Sequence, residues 1–103
     1  MRQAESVADA LRRLRKTSGF SPVWSFHAEH ERLPDYYAKW GLDKLICEKV
    51  VSTGTLHSIE VDVHGRETVH VRGRVDGLTV DVVVGVAHTS SETFVLIITL
   101  KPK

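Results

Sequence analysis

The sequence predicts an α+β fold in which N-terminal helices, within residues 1–55, pack on one face of a four-stranded antiparallel sheet spanning residues 57–101. Apolar residues recur at helical spacing up to Gly54, the period changes to two immediately afterwards, and Asp76-Gly77 marks a tight hairpin between valine-rich runs. The 103 residues make room for one domain. A chain of this size buries roughly two-thirds of its unfolded surface, enough for a modest core.

Ala4, Val7, Ala8, Leu11 and Leu14 form the first helical stripe. Its last turn carries Arg12, Arg13, Arg15 and Lys16, which suits the negative end of the helix dipole, and Gly19 is the stop signal. That basic end fits a solvated face or a contact to phosphates. Pro22 breaks the pattern, and Val23 to Ala28 fit either a short strand or the entry to a helix. Pro34 interrupts again before Tyr36, Tyr37 and Trp40 recur at near-helical spacing, ended by Gly41. Leu42, Leu45, Ile46, Val50 and Val51 make a second long helical stripe, closed by Gly54.

Ile59, Val61 and Val63 then alternate with Glu60, Asp62 and His64, and Gly65-Arg66 turns the chain. Val69 and Val71 alternate with Thr68, His70, Arg72 and Arg74. After Asp76-Gly77, Leu78, Val80, Val82, Val84 and Val86 alternate with Thr79, Asp81, Val83 and Gly85. A polar loop, Ala87 to Thr93, leads to Phe94, Leu96, Ile98 and Leu100 against Val95, Ile97, Thr99 and Lys101. The last two strands are apolar on both faces over part of their length, which places them centrally.

Residues two apart on a strand share a face. With Val69 and Val71 inward, the opposite face displays Thr68, His70, Arg72 and Arg74, joined by Thr79, Asp81, Thr99 and Lys101 from neighbouring strands. Ordinary solvent-facing polarity explains such a face. So does metal-free RNA cleavage, in which a base takes the ribose 2′-hydroxyl proton and an acid protonates the leaving 5′-oxygen. Histidine serves either role, and Arg and Lys donors stabilise the charge on phosphorus-bound oxygens.

The segment His27-Ala28-Glu29-His30-Glu31-Arg32 concentrates two imidazoles and an Arg. On a helix, His27 and His30 lie three apart and His27 and Glu31 four apart. This spacing fits a polar helix start, a zinc pair short of further ligands, or an RNA-contacting role beside the sheet. His57, His64 and His88 fall at strand ends or loops and read as surface residues.

Fourteen Lys and Arg against thirteen Asp and Glu give no broad electrostatic footprint for nucleic acid or anionic membrane, so such a role rests on a local cluster. The single cysteine, Cys47, cannot form an internal disulfide and reads as a buried helical hydrophobe. Residues 1–13 lack the apolar run of a signal peptide or a membrane span, so a cytoplasmic location is expected. Glycine-rich nucleotide loops, GxSxG and HExxH motifs, and paired-cysteine spacing are absent from the sequence. Trp24, Tyr36, Tyr37 and Trp40 suit core, partner-interface or base-stacking roles.

Ser25-Phe26-His27-Ala28-Glu29-His30-Glu31-Arg32, the helix ending at Gly54, Val71-Arg72-Gly73-Arg74-Val75-Asp76-Gly77, Val82-Val83-Val84 and Ile98-Thr99-Leu100-Lys101-Pro102 follow one another in order. Together they resemble a small domain family of unknown function within the barnase–EndoU–colicin–RelE (BECR) ribonuclease superfamily, whose pattern runs SxHAxxR-like, VxGxVDG, valines, xxTxxP. The order of elements is similar to that of the RelE, colicin D and motility quorum-sensing regulator toxins. The resemblance covers about three-quarters of the chain. It implies a metal-independent, cofactor-free endoribonuclease toxin acting on RNA, neutralised by an antitoxin or immunity protein. It also implies a site of His27, Arg32, Arg72 or Arg74, and Thr99, assisted by Lys101. His70 joins the catalytic set on strand geometry alone, and His30 and Arg74 are expected to bind substrate. The aromatic insert Pro34 to Trp40 departs from the pattern and serves either the site or a partner. The alternative reading is a non-catalytic module of the same fold that docks on a protein.

Overall fold

The computed structural model describes residues 5–102; Ala4, the first residue of the expected stripe, lies outside them. Helix α1 (Val7–Arg15) starts where the Ser6 hydroxyl accepts the Asp9 N–H, and it buries Ala8, Ala10 and Leu11. Strand β1 is two residues long, Val23–Trp24. A π-helical turn, His27–Arg32, then runs directly into α2 (Leu33–Trp40). Val23 to Ala28 are thus a short strand and a helix entry in succession. The widened turn has a local cause. Pro34 carries no N–H and its ring crowds the carbonyl four residues back, and the Leu33 N–H reaches five residues back to Ala28 O. Helix α3 (Lys44–Thr53) is capped by the Asp43 carboxylate, which accepts the Ile46 N–H.

Four further strands follow: β2 (Thr55–Val61), β3 (Glu67–Val75), β4 (Leu78–His88) and β5 (Thr93–Pro102). The sheet order is β1-β5-β4-β3-β2. The sheet is thus five-stranded and mixed, because β1 pairs with β5 in parallel while the other pairs are antiparallel. The expected four-stranded antiparallel sheet is corrected in that detail, and the α+β class stands. Val23–Trp24 is the short strand that the Val23 to Ala28 segment allowed, but two residues carry no alternation from which its parallel pairing with β5 was legible.

Helices α1 and α3 pack on the valine face, where Leu11, Cys47 and Val51 meet Val69, Val71, Val80, Val82 and Val84. Gly73 lets α3 approach: a Cβ there would come within 2.7 Å of Val50 Cγ2. The strand phase expected for β5 also needs correction. The register passes from Val83↔Thr99 to Val84↔Ile97, which leaves Ile98 as an extra residue. Beyond that bulge Ile97 and Val95 join Leu100 in the core, and Ile98 and Leu96 turn to the opposite face. No helix among the described residues is long and apolar enough to cross a membrane.

Candidate active site

Ser25 builds the first part of the site. Its N–H bonds to Ile97 O at 2.9 Å, its hydroxyl donates to Ile98 O at 3.2 Å, and the same hydroxyl accepts the Ala28 N–H. The π-turn is therefore tied to β5 at its bulge. Ala28 is fully buried in the core, which turns His27 outward.

His27 Nδ1 lies 2.6 Å from Glu31 Oε2, and Arg32 Nε donates to His27 Nε2 at 3.2 Å. A guanidinium only donates, so Nε2 is the acceptor and the ring proton sits on Nδ1, facing Glu31. The π-turn makes this double contact possible. In a wider turn the residues four and five ahead both lie beside the first, whereas an ordinary α-helix aligns only three and four.

His27 stands at one wall of a cleft of about 740 Å³ on the sheet face opposite the helices α1 and α3. Thr68, Gly85, Ala87, Leu96 and Ile98 of β3, β4 and β5 line its floor, and Asp62 and Arg66 of the β2–β3 turn form the opposite wall. Arg66 Nε donates to Asp62 Oδ2 at 3.1 Å. The Asp62 carboxyl is held below its ordinary range mainly by the Arg66 N–H, with the His64 N–H and the Arg66 guanidinium adding to it.

The sheet residues expected in the site form a second, adjoining zone. Arg72 grips Asp81 with two hydrogen bonds, Nε to Oδ1 at 2.7 Å and Nη2 to Oδ2 at 3.0 Å. That contact raises the Arg72 pKa further. His70 lies between two carboxylates, with Nδ1 3.8 Å from Asp81 Oδ2 and Nε2 3.4 Å from Glu60 Oε2. The Nε2 contact lacks hydrogen-bond geometry, and the residue is only 6% exposed. Thr99 sits level with His70 across Val83, two strand spacings or about 10 Å away. Lys101 is level with Asp81, and exposed Arg74 is level with Thr79 at the far end.

The structure thus brings His27 and Arg32 together and gathers His70, Arg72, Thr99 and Lys101 on the neighbouring part of the same face. It does not bring His30 to them. That ring stacks on Phe26 at 4.7 Å and contacts Glu29, which also pairs with Lys44. His27 and His30 therefore turn to different partners, and among the described residues no group of three or more His, Cys, Asp or Glu is placed to hold a metal ion. Arg74 lines a different cleft, beside α3.

Sequence reasoning missed Arg66 as a wall of the site. Its signal was the Asp62 to Arg66 turn, in which the Asp62 carboxylate accepts two backbone N–H groups and aims the Arg. No family model, no curated protein and no solved structure matches this chain.

Proposed function

We propose that this chain is a metal-independent endoribonuclease of the toxin type, with His27 as its general base. The observation that carries the reading is His27 held between Glu31 and Arg32 at the wall of a cleft wide enough for a nucleotide. With Nδ1–H directed to Glu31, Nε2 is the nitrogen that accepts the 2′-hydroxyl proton. The 2′-oxygen then bonds to phosphorus, and the phosphorus–5′-oxygen bond breaks. The 5′-oxygen takes a proton from water, leaving a 2′,3′-cyclic phosphate. Arg32 releases His27 to the 2′-hydroxyl and moves to the phosphate, where its guanidinium offsets the developing charge. Thr68 lines the floor, and Thr99 and Lys101 extend the polar surface beside it. An RNA substrate implies a cytoplasmic site of action, and a neutralising antitoxin or immunity protein accompanies the toxin reading.

The test is incubation of the purified chain with end-labelled single-stranded RNA in EDTA. Cyclic-phosphate ends are expected, and His27→Ala is expected to slow cleavage by about 10²–10⁴-fold. Intact RNA after exposure to excess folded protein overturns the proposal.

Two observations favour a second reading, a non-catalytic module that docks on a protein. Arg72 spends its charge on Asp81, and His70 is buried rather than presented. In that case RNA stays intact, and His27→Ala leaves partner binding unchanged.

A further inference from the structure

The outer edge of β3 is open at one end. Strand β2 begins at Thr55, opposite Arg72, so among the described residues no strand lies beside Gly73, Arg74 and Val75 on that side. The turn at Asp76-Gly77 has φ of 48° and 82°, the left-handed pair of a two-residue hairpin. In such a hairpin the flanking residues, Val75 and Leu78, exchange both backbone hydrogen bonds, and the pattern alternates along the strand. Val75 and Gly73 therefore bond to β4, while Arg72 and Arg74 direct their N–H and C=O away from it. Arg72 meets Thr55. Arg74 directs both groups into the open edge.

That edge is not bare solvent. A cleft of about 660 Å³ runs along it, with Ile46, Val50 and Val75 supplying apolar surface and Lys49 and Arg74 supplying charge beside Arg72, whose guanidinium is held by Asp81. Among the described residues neither Lys49 nor Arg74 makes an ion pair, and Asp76 is the one acidic residue lining the cleft. The α3–β2 corner above it is braced by Arg15, whose Nη1 donates to Gly54 O at 3.0 Å.

We propose that this cleft binds an extended acidic peptide, which adds as a short strand to the open edge of β3. The Arg74 N–H and C=O pair with the peptide backbone. Peptide side chains on the α3 side meet the Ile46–Val50–Val75 surface with Lys49 beside it, and those on the opposite side meet Arg74. A strand edge favours a peptide over nucleic acid, because a peptide backbone repeats its donor and acceptor at the strand's own spacing while nucleic acid brings a phosphate chain that does not. This binding is independent of RNA cleavage at His27.

The experiment titrates the full chain with four probes: an alternating glutamate–valine hexapeptide, its lysine–valine analogue, a copy of the acidic peptide N-methylated at alternate residues, and hexauridylate. Amide exchange at Arg74 is followed by NMR. The acidic peptide is expected to bind and to slow exchange of the Arg74 amide. The lysine and N-methylated peptides, and Lys49→Glu with the acidic peptide, are each expected to bind about tenfold more weakly or worse. Four results would each overturn the proposal: no binding of the acidic peptide, equal binding of its N-methylated copy, binding without protection of Arg74, or tighter binding of hexauridylate at this cleft.

Discussion

Arg72 and Asp81 face each other across β3 and β4, joined by two hydrogen bonds, with the carboxylate only 1% exposed. A carboxylate this deeply placed depends on its partner. Removing the guanidinium takes two hydrogen bonds from this buried carboxylate and so weakens the compensation for its lost hydration, which destabilises the fold. Arg72→Ala is therefore expected to lower the midpoint of urea unfolding far more than Arg74→Ala, whose side chain is exposed. Equal midpoints for the two variants would contradict this account.

The widened turn at His27–Arg32 depends on Pro34. Pro34→Ala restores a backbone donor and relieves the crowding at the carbonyl of His30. The turn is expected to tighten to an α-helix, rotating Arg32 away from His27. The nitrogen chemical shifts of the His27 ring report this directly: loss of the Arg32 contact moves the Nε2 resonance, while the Glu31 contact at four residues persists.

Gly73 is fixed by what crosses it. Gly73→Ala drives a methyl into Val50, and overpacking of this kind costs about 1–3 kcal/mol. The double variant with Val50→Ala makes room for that methyl, so calorimetry is expected to show less than the sum of the two single losses.

Cys47 is fully buried, and burial, with Asp43 and Glu48 adding to it, pushes its thiol up to about 12. The folded chain holds this proton more tightly than the unfolded one. Stability is therefore unaffected at neutral pH and falls as pH rises from the ordinary thiol range toward 12. At pH 8 the native protein is expected to react with a disulfide reagent only as fast as it unfolds, whereas denatured chain reacts at once.

Much of this architecture was legible because periodicity reports burial. The α1 stripe, Ile46, Val50 and Val51 of α3, the Asp76-Gly77 hairpin and the inward valines of β3 and β4 all follow from one apolar face per element, whereas Leu45 of the expected α3 stripe is 77% exposed and Leu42 precedes the helix. Strict alternation failed at Ile98, where one extra residue reverses the strand's phase and both phases are apolar, so no polarity marked the change. The site was legible in part. Ser25, His27, Glu31 and Arg32 are neighbours in sequence, and local chemistry predicts local contacts. That Asp81 would occupy Arg72, and that His70 would be buried between carboxylates, depends on cross-strand pairing that spacing along one strand does not reveal.

The phase reversal in β5 has a consequence for any guest of the His27 cleft. Leu96 and Ile98 floor a space whose charged groups, His27 on one side and Asp62, Arg66 and Glu67 on the other, stand at its walls. A flat ring settles on that hydrocarbon, and ionic groups are met at its ends. Shape and oiliness thus decide what lies down there, and charge decides which way round it lies.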